Sequence, residues 1–433
     1  MVNLALIPTY EEYIDSTVEW LGYIPSHWEI IRMKFLYKDT STKNKANETL
    51  LSVTQNKGVV PREWVENRMV MPSGNLDSFK FIEKGDFAIS LRSFEGGLEY
   101  CHHNGIISPA YTVLKSKRNA LQEKYYKYLF KCHAFISELQ TSIVGIREGK
   151  NISYSELQNS LLPIPSNHEQ RLIAGFLDKK VTQIDDAITL KEQAINLLEE
   201  RKQIIIQKSV TQGLDPQVPM KDSGVDWIGT IPEHWETERS RWLFRQRKEK
   251  ARKCDEQLTA SQKYGVISQQ KFMELEGRRV TQVELNSEIL KHVEANDFVI
   301  SMRSFQGGIE YCAYTGCVSS AYVPLIPCKL VHSPYYKHLL KSQRYIEALQ
   351  RTSNLVRDGQ ALRYENFCMV DLLIVPFEEQ IAIANFIDSQ EKLFRRNVAI
   401  MKAQIEKLKE YKTTLINSAV TGKIKITQEM VGQ

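Results

Sequence analysis

The sequence predicts a mixed α/β (α+β) fold made by tandem duplication. A globular domain plus a long α-helix occurs twice, and the two helices are expected to form an antiparallel coiled coil with pseudo-twofold symmetry. Three observations carry this expectation. Blocks of the first half recur in order in the second, each half holds a long proline-free stretch with apolar residues three and four apart, and each globular part mixes strand-like with helical runs. A chain of 433 residues, 42% hydrophobic and 25% charged, has room for two or three domains and enough apolar content to bury their cores.

The repeat is read directly. WLGYIPSHWE at 20–29 returns as WIGTIPEHWE at 227–236, and DFAISLRSFEGGLEYC at 86–101 as DFVISMRSFQGGIEYC at 297–312. SPAYTVL at 108–114 answers SSAYVPL at 319–325, REGKNISY at 147–154 answers RDGQALRY at 357–364, and EQRLIAGFLD at 169–178 answers EQIAIANFID at 379–388. The offset is 207 at Leu51, Gln55 and Gly58, which match Leu258, Gln262 and Gly265, and 211 at Asp86 and Asp297. Four extra residues therefore lie between Gly265 and Asp297, where 59–81 and 266–292 share almost no identity. Each copy is a common frame carrying a private segment.

Taken in order, residues 1–165 form the first globular domain, with a strand-like run at Phe87–Leu91 and a helical stretch at 125–140 echoed at 335–350. Pro163 and Pro165 mark a turn, and 166–212 then read as the first long helix, with Leu177, Val181, Ile184, Ile188, Ile195, Leu198 and Ile205 along one stripe. Residues 213–376 repeat the globular domain, and 377–433 give the second helix and a tail, its stripe formed by Ile387, Phe394, Val398, Met401, Ile405, Leu408 and Leu415. Lys191, Lys202 and Lys412 interrupt the stripes and are expected to fix register, while Gly213 and Gly422 follow as helix stops. A helix over 168–210 spans about 65 Å and cannot bury such a stripe alone. Packing of each helix on its own domain is the alternative, and the sustained heptad spacing argues against it.

Several function classes fall away. The formal net charge of +5 excludes bulk polyanion binding, so any nucleic-acid site must be a local concentration of charge. The N-terminal stretch lacks the basic start and apolar length of a signal peptide, and no apolar run reaches 18 residues, so a soluble cytoplasmic protein with no membrane contact is expected. Seven cysteines without a CxxC pair make a disulfide framework or a zinc site unexpected. No Walker loop, GxGxxG, HExxH or GxSxG is present, and the Asn/Asp-Pro-Pro-aromatic string of amino-methyltransferases is absent too. No catalytic residue, metal ligand or cofactor site is assigned.

Nucleic-acid binding is the chemistry left. RSRWLFRQRKEKARK at 239–253 holds eight basic residues, Arg245 and Arg247 among them, against one acid, and Lys43 and Lys45 lie in its weaker counterpart. Basic residues interleaved with Trp242 and Phe244 suit a duplex backbone, although a solvated face would look the same. Arg92-Ser93-Phe94 and Arg303-Ser304-Phe305 each follow an apolar strand and precede paired glycines, Gly96-Gly97 or Gly307-Gly308. Arginine suits phosphate or a guanine edge, and the glycines allow close backbone approach. The alternative is a structural turn with a local ion pair. Arg147 and Arg357 sit in a second shared loop, in which Lys150 faces Gln360 across the repeat; lysine suits guanine and glutamine adenine. Residues identical in both copies, Tyr111 and Tyr322 included, cannot distinguish two different half-sites, so they belong to backbone positioning or architecture. Base reading is expected at 38–81 and 245–292, helped by 115–146 and 326–356. The WxGxIPxHWE tryptophans are expected to pack rather than bind.

These motifs resemble the specificity subunits of type I restriction–modification systems. The resemblance covers nearly the whole chain, carried by the D-S-x-V-[DE]-W-[LI]-G-x-I-P-x-H-W-E openings at Asp15–Glu29 and Asp222–Glu236, the SFxGG and SPAY-type blocks, the proline–EQ helix starts and the VTxG end, shortened to VTG in the second copy. It implies that 1–165 and 213–376 are target recognition domains and that the helices are spacers docking two methyltransferase (modification) subunits. Two restriction/translocase subunits would complete the assembly on double-stranded DNA with a bipartite, asymmetric target. The chain itself would be non-catalytic, with S-adenosylmethionine, ATP and Mg²⁺ used by partner chains of the adenine methyltransferase and restriction complex. A stand-alone DNA-binding regulator using the same two-headed frame is the other reading.

Overall fold

The computed structural model describes residues 7–65, 76–90, 93–118, 121–141, 143–144, 151–277, 289–352 and 362–432. The chain forms two compact units: Met1–Lys191 with Lys402–Gln433, and Glu192–Met401. Each unit holds one globular head, the first part of the long helix that follows it, and the last part of the other long helix.

The first head is built on a four-stranded antiparallel sheet of β1 (Tyr37–Thr40), β2 (Phe87–Ile89), β3 (Glu99–Tyr100) and β4 (Thr112–Ser116), in spatial order β1-β4-β2-β3. Leu114 is paired with Asp39 on one side and Phe87 on the other. A hairpin, Leu51–Thr54 with Gly58–Pro61, packs beside it. The stretch predicted as one helix is two, α1 (Glu123–Leu129) and α2 (His133–Thr141). The break has a cause: the Phe130 carbonyl turns aside to accept the Leu98 amide at 3.1 Å. The strand leading into the head, Glu29–Arg32, pairs with the strand leading out, Leu161–Ile164, so the head closes on itself before the long helix α3 (Asn167–Gln212) begins.

The second head repeats the plan. Strands β5 (Phe244–Gln246), β6 (Phe298–Ile300), β7 (Glu310–Tyr311) and β8 (Val323–Pro327) take the order β5-β8-β6-β7, and Leu325 is paired with Gln246 and Phe298, the same register as Leu114. Helices α4 (Ser333–Leu339) and α5 (Gln343–Arg351) follow, then strand Asp371–Ile374 paired with Glu236–Arg239, and the long helix α6 (Phe377–Val420). Each head has a large core that takes in helix residues and a smaller one beneath the hairpin, Val59 and Cys101 in one, Val266 and Cys312 in the other.

The helix stripes are buried towards the heads and half-buried along the middle, where Val181, Ile188, Ile195, Leu198, Val398 and Met401 keep partial exposure, and near the end of α3 Ile206 is buried in place of the predicted Ile205. In the first unit Leu177 and Ile184 of α3 share a core with Leu408 and Leu415 of α6. The two segments run antiparallel there: Lys412 Nζ reaches Asp185 Oδ1 at 2.7 Å, and Lys191 Nζ reaches Gln404 Oε1 at 2.7 Å. Two of the three stripe lysines thus bridge the seam and fix its register. Lys202 instead bonds Glu199 on its own helix. In the second unit Ile206 and Val210 of α3 share a core with Ile383, Ala384 and Ile387 of α6. Among the described residues no helix is long and apolar enough to cross a membrane.

Candidate nucleic-acid interface

The tryptophans of the repeated opening do pack, and they fix the helices to the heads. Glu169 in the first turn of α3 accepts from Trp28 Nε1 at 3.2 Å and contacts His27 Nε2 at 2.9 Å, while its other oxygen accepts from the Ser166 hydroxyl at 2.8 Å. Glu379 does the same for Trp235 Nε1 at 3.0 Å and His234 at 2.7 Å. The adjacent glutamines lock the lead-in turns: Gln170 donates to the Pro165 carbonyl and Gln380 to that of Val375. Each tryptophan also meets the end of the other helix, since a Cβ on Gly422 (φ +73°) would lie 3.0 Å from Trp28 and one on Gly213 (φ +75°) 3.4 Å from Trp235. The buried hydroxyls of Tyr125 and Tyr335 then cap those helix ends, donating to Val420 and Val210 carbonyls at 2.8 and 2.7 Å.

The glycine-paired loops form a junction of the same geometry in both heads. Ser93 and Ser304 are fully buried, and each hydroxyl accepts an amide of its own turn, Ser90 N–H or Ser301 N–H, at 2.8 Å. Gly97 and Gly308 are left-handed, and a Cβ there would strike the Phe130 or Leu340 carbonyl at 2.0 or 2.3 Å. Gly96 and Gly307 lie against the side chains of Gln55 and Gln262 at the hairpin tips. Beneath them sits an ion pair that the sequence reading missed. Lys131 Nζ bonds Glu99 Oε1 at 2.6 Å and the Gln55 carbonyl at 3.0 Å; Lys341 Nζ bonds Glu310 Oε1 at 2.6 Å and the Gln262 carbonyl at 3.4 Å. Burial pushes both carboxyls up to about 7, although each lysine pulls the other way. Identity of all three residues across the repeat was the available signal.

These positions revise several expected contacts. Ser93, Ser304, Gly97 and Gly308 are enclosed and serve the loop's shape rather than offering surface to a ligand. Arg247 is buried at 5% exposure, gripping Asp297 with Nε at 2.7 Å and reaching Glu294 and Glu249 at 3.1 and 2.9 Å, so it is not a free cation. The basic run divides accordingly: Leu243, Phe244 and Arg247 point inward, whereas Arg241, Trp242, Arg245, Lys248 and Lys250 are exposed. Lys43 and Arg303 are exposed, with the Arg303 carbonyl held by Gln262 Nε2 at 3.3 Å. Lys45 is half-buried with Nζ 3.8 Å from the Phe81 ring centroid. Tyr111 and Tyr322 are half-buried, their carbonyls each taken by a lysine, Lys80 or Lys291, at 2.6 Å. Gly96 and Gly307 are partly exposed. Arg92, Arg147, Lys150, Arg357 and Gln360 lie outside the described residues, as do the side chains of Phe94 and Phe305. All cysteines are free, and no cluster of metal-binding side chains occurs among the described residues.

Comparison with known proteins agrees with this duplicated frame. No protein-family profile matches the chain. A curated relative, the type I restriction enzyme EcoBI specificity subunit of Escherichia coli, is 21% identical over 241 residues, 52% of this chain and 48% of that protein. The chain thus spans about half the length of the curated relative it matches. In fold the likeness extends further. The HsdS subunit from Thermoanaerobacter tengcongensis superposes with a TM-score of 0.54 at 14% identity, covering 93% of this chain and 98% of that one. A chain from a structure on complex assembly and conformational transition of the type I R-M system gives 0.66 at 14% identity, covering 92% and 98%. The chain is similar to type I restriction–modification specificity subunits in sequence over half its length and in fold over nearly all of it.

Proposed function

We propose that this chain, similar as it is to type I specificity subunits, is the non-catalytic DNA-recognition subunit of such a complex. Each head reads one half of a bipartite, asymmetric target. The long helices set the distance between the halves and dock methyltransferase subunits, two per chain, to which restriction/translocase subunits add. S-adenosylmethionine, ATP and Mg²⁺ chemistry belongs to those partners. One observation carries the reading: two heads share sheet order, register and loop junction yet differ in the surface segments built on them. That is the design expected of a reader that holds two stretches of duplex alike and interprets them differently.

Exposed apolar residues on the helices support the docking role. Ile204 and Ile400 are exposed, as are Leu190, Leu197 and Leu393, whereas Ile206 is in a core and Ile416 packs partly against one. Such residues on a helix face suit packing against a partner's helices.

The test is methylation-site mapping of DNA from cells that express the chain with its methyltransferase. The expected result is one bipartite motif with an unread gap, lost when the chain is deleted. A motif that persists without the chain refutes the proposal.

A further inference from the structure

The geometry points to Lys341 and Glu310, and equally Lys131 and Glu99, as positioning residues for DNA reading: each pair ties a hairpin tip to the adjoining glycine loop so that both meet the duplex at a fixed angle. This inference rests on the proposed function and adds to it the residues that aim each head.

Four pieces of backbone converge at each pair: the hairpin tip, the glycine loop, the strand carrying the glutamate, and the break between two helices that carries the lysine. In the second head, Lys341 spans Glu310 and the Gln262 carbonyl, and the Gln262 side chain donates back to the Arg303 carbonyl at 3.3 Å. Arg303 itself is exposed beside the tip, so the pair holds the backbone under the one described loop arginine without consuming its charge. Gly308 against the Leu340 carbonyl fixes the loop from the other side. In the first head Lys131 makes the same two contacts, to Glu99 and to the Gln55 carbonyl.

The arrangement is costly for stability alone. Glu99 and Glu310 are completely buried, and the second oxygen of each has no hydrogen-bond partner among the described residues. Apolar residues of similar volume would serve a core at least as well, and the best-attested use of a buried ion pair is to select one arrangement of elements over others. Retention of the same pair in both copies, around surfaces that differ, fits a device needed by every half-site whatever its sequence.

The experiment uses the full chain co-expressed with its methyltransferase subunit and reads both halves of the methylated motif. The double variant Lys341→Met with Glu310→Gln removes the tie without leaving a buried charge, and Gln262→Ala loosens the tip from an exposed position. For each, we expect at least a tenfold rise in the fraction of methylated sites with a mismatched base in one half, with the other half read as before and thermal unfolding close to wild type for Gln262→Ala. Lys341→Arg restores fidelity. The mirrored variant Lys131→Met with Glu99→Gln relaxes the opposite half. An unchanged motif in the double variant and in Gln262→Ala, or equal relaxation of both halves, overturns the inference. Failure of the underlying function looks different: the wild-type chain would then direct no methylation at all.

Discussion

The two heads keep the same pair of acids on the same turn and balance them from different strands. In the first head Glu83 is paired with Lys115 of β4, and Asp86 lies buried beside it with its carboxyl raised by burial to about 6. In the second, Glu294 and Asp297 are both gripped by Arg247, which follows β5. The position aligned with Arg247 is Thr40, and that aligned with Lys115 is Ile326. The neighbouring site diverges as well. His292 is buried against Asp255 at 2.8 Å, where the first head has Phe81 under the Lys45 ammonium. Residues that join head to helix, and loop to hairpin, are shared, whereas residues between sheet and private segment are not. The two copies share the joints and differ in the buried contacts beneath the private segments.

That contrast can be broken at its strongest point with Arg247→Ala. The change leaves Asp297 buried without its partner, a loss of about 3–5 kcal/mol. It should lower the unfolding temperature by roughly 6–20 °C in calorimetry. Thr40→Ala, at the aligned position, should leave it nearly unchanged. A smaller and equal effect is expected where the heads agree. Tyr125→Phe and Tyr335→Phe each orphan a buried helix-end carbonyl, costing about 1–3 kcal/mol; unequal losses would mean that the two helix anchors are not equivalent. The smallest effect concerns pH. Glu99 and Glu310 hold their proton up to about 7 in the folded protein because of burial, well above the ordinary carboxylate range. Stability from that proton is therefore fully present in acid and is lost as pH rises through about 7. Denaturant titrations should show stability falling from about pH 5 to about pH 7.5, with a shallower slope in Glu99→Gln and Glu310→Gln.

Much of the frame was legible in the sequence because repetition exposes it. The offset of matching blocks gave the two heads, and heptad spacing gave the helices and their lysine bridges at Lys191 and Lys412. Local spacing could not reveal where the cations go. Arg247 reads as part of a basic run until folding sets it against Asp297, fifty residues away. Whether Ser93 and Ser304 touch a ligand or shape the loop was not legible, because the bond each hydroxyl accepts from an amide three residues back leaves no mark in composition. The single predicted helix at 125–140 splits because the Phe130 carbonyl is claimed by Leu98, a tertiary contact that overrides helix propensity. Lys131 and Lys341 were overlooked for the same reason: each lies at such a break, and its partner is on a distant strand.

The central claim is that a shared frame holds DNA while the private segments read it. Exchanging 59–81 for 266–292 within the full chain, followed by mapping of every methylated site, addresses it directly. The account predicts that one half of the bipartite motif changes while the other half stays as it was. An unchanged motif, from a complex that still methylates, would contradict it.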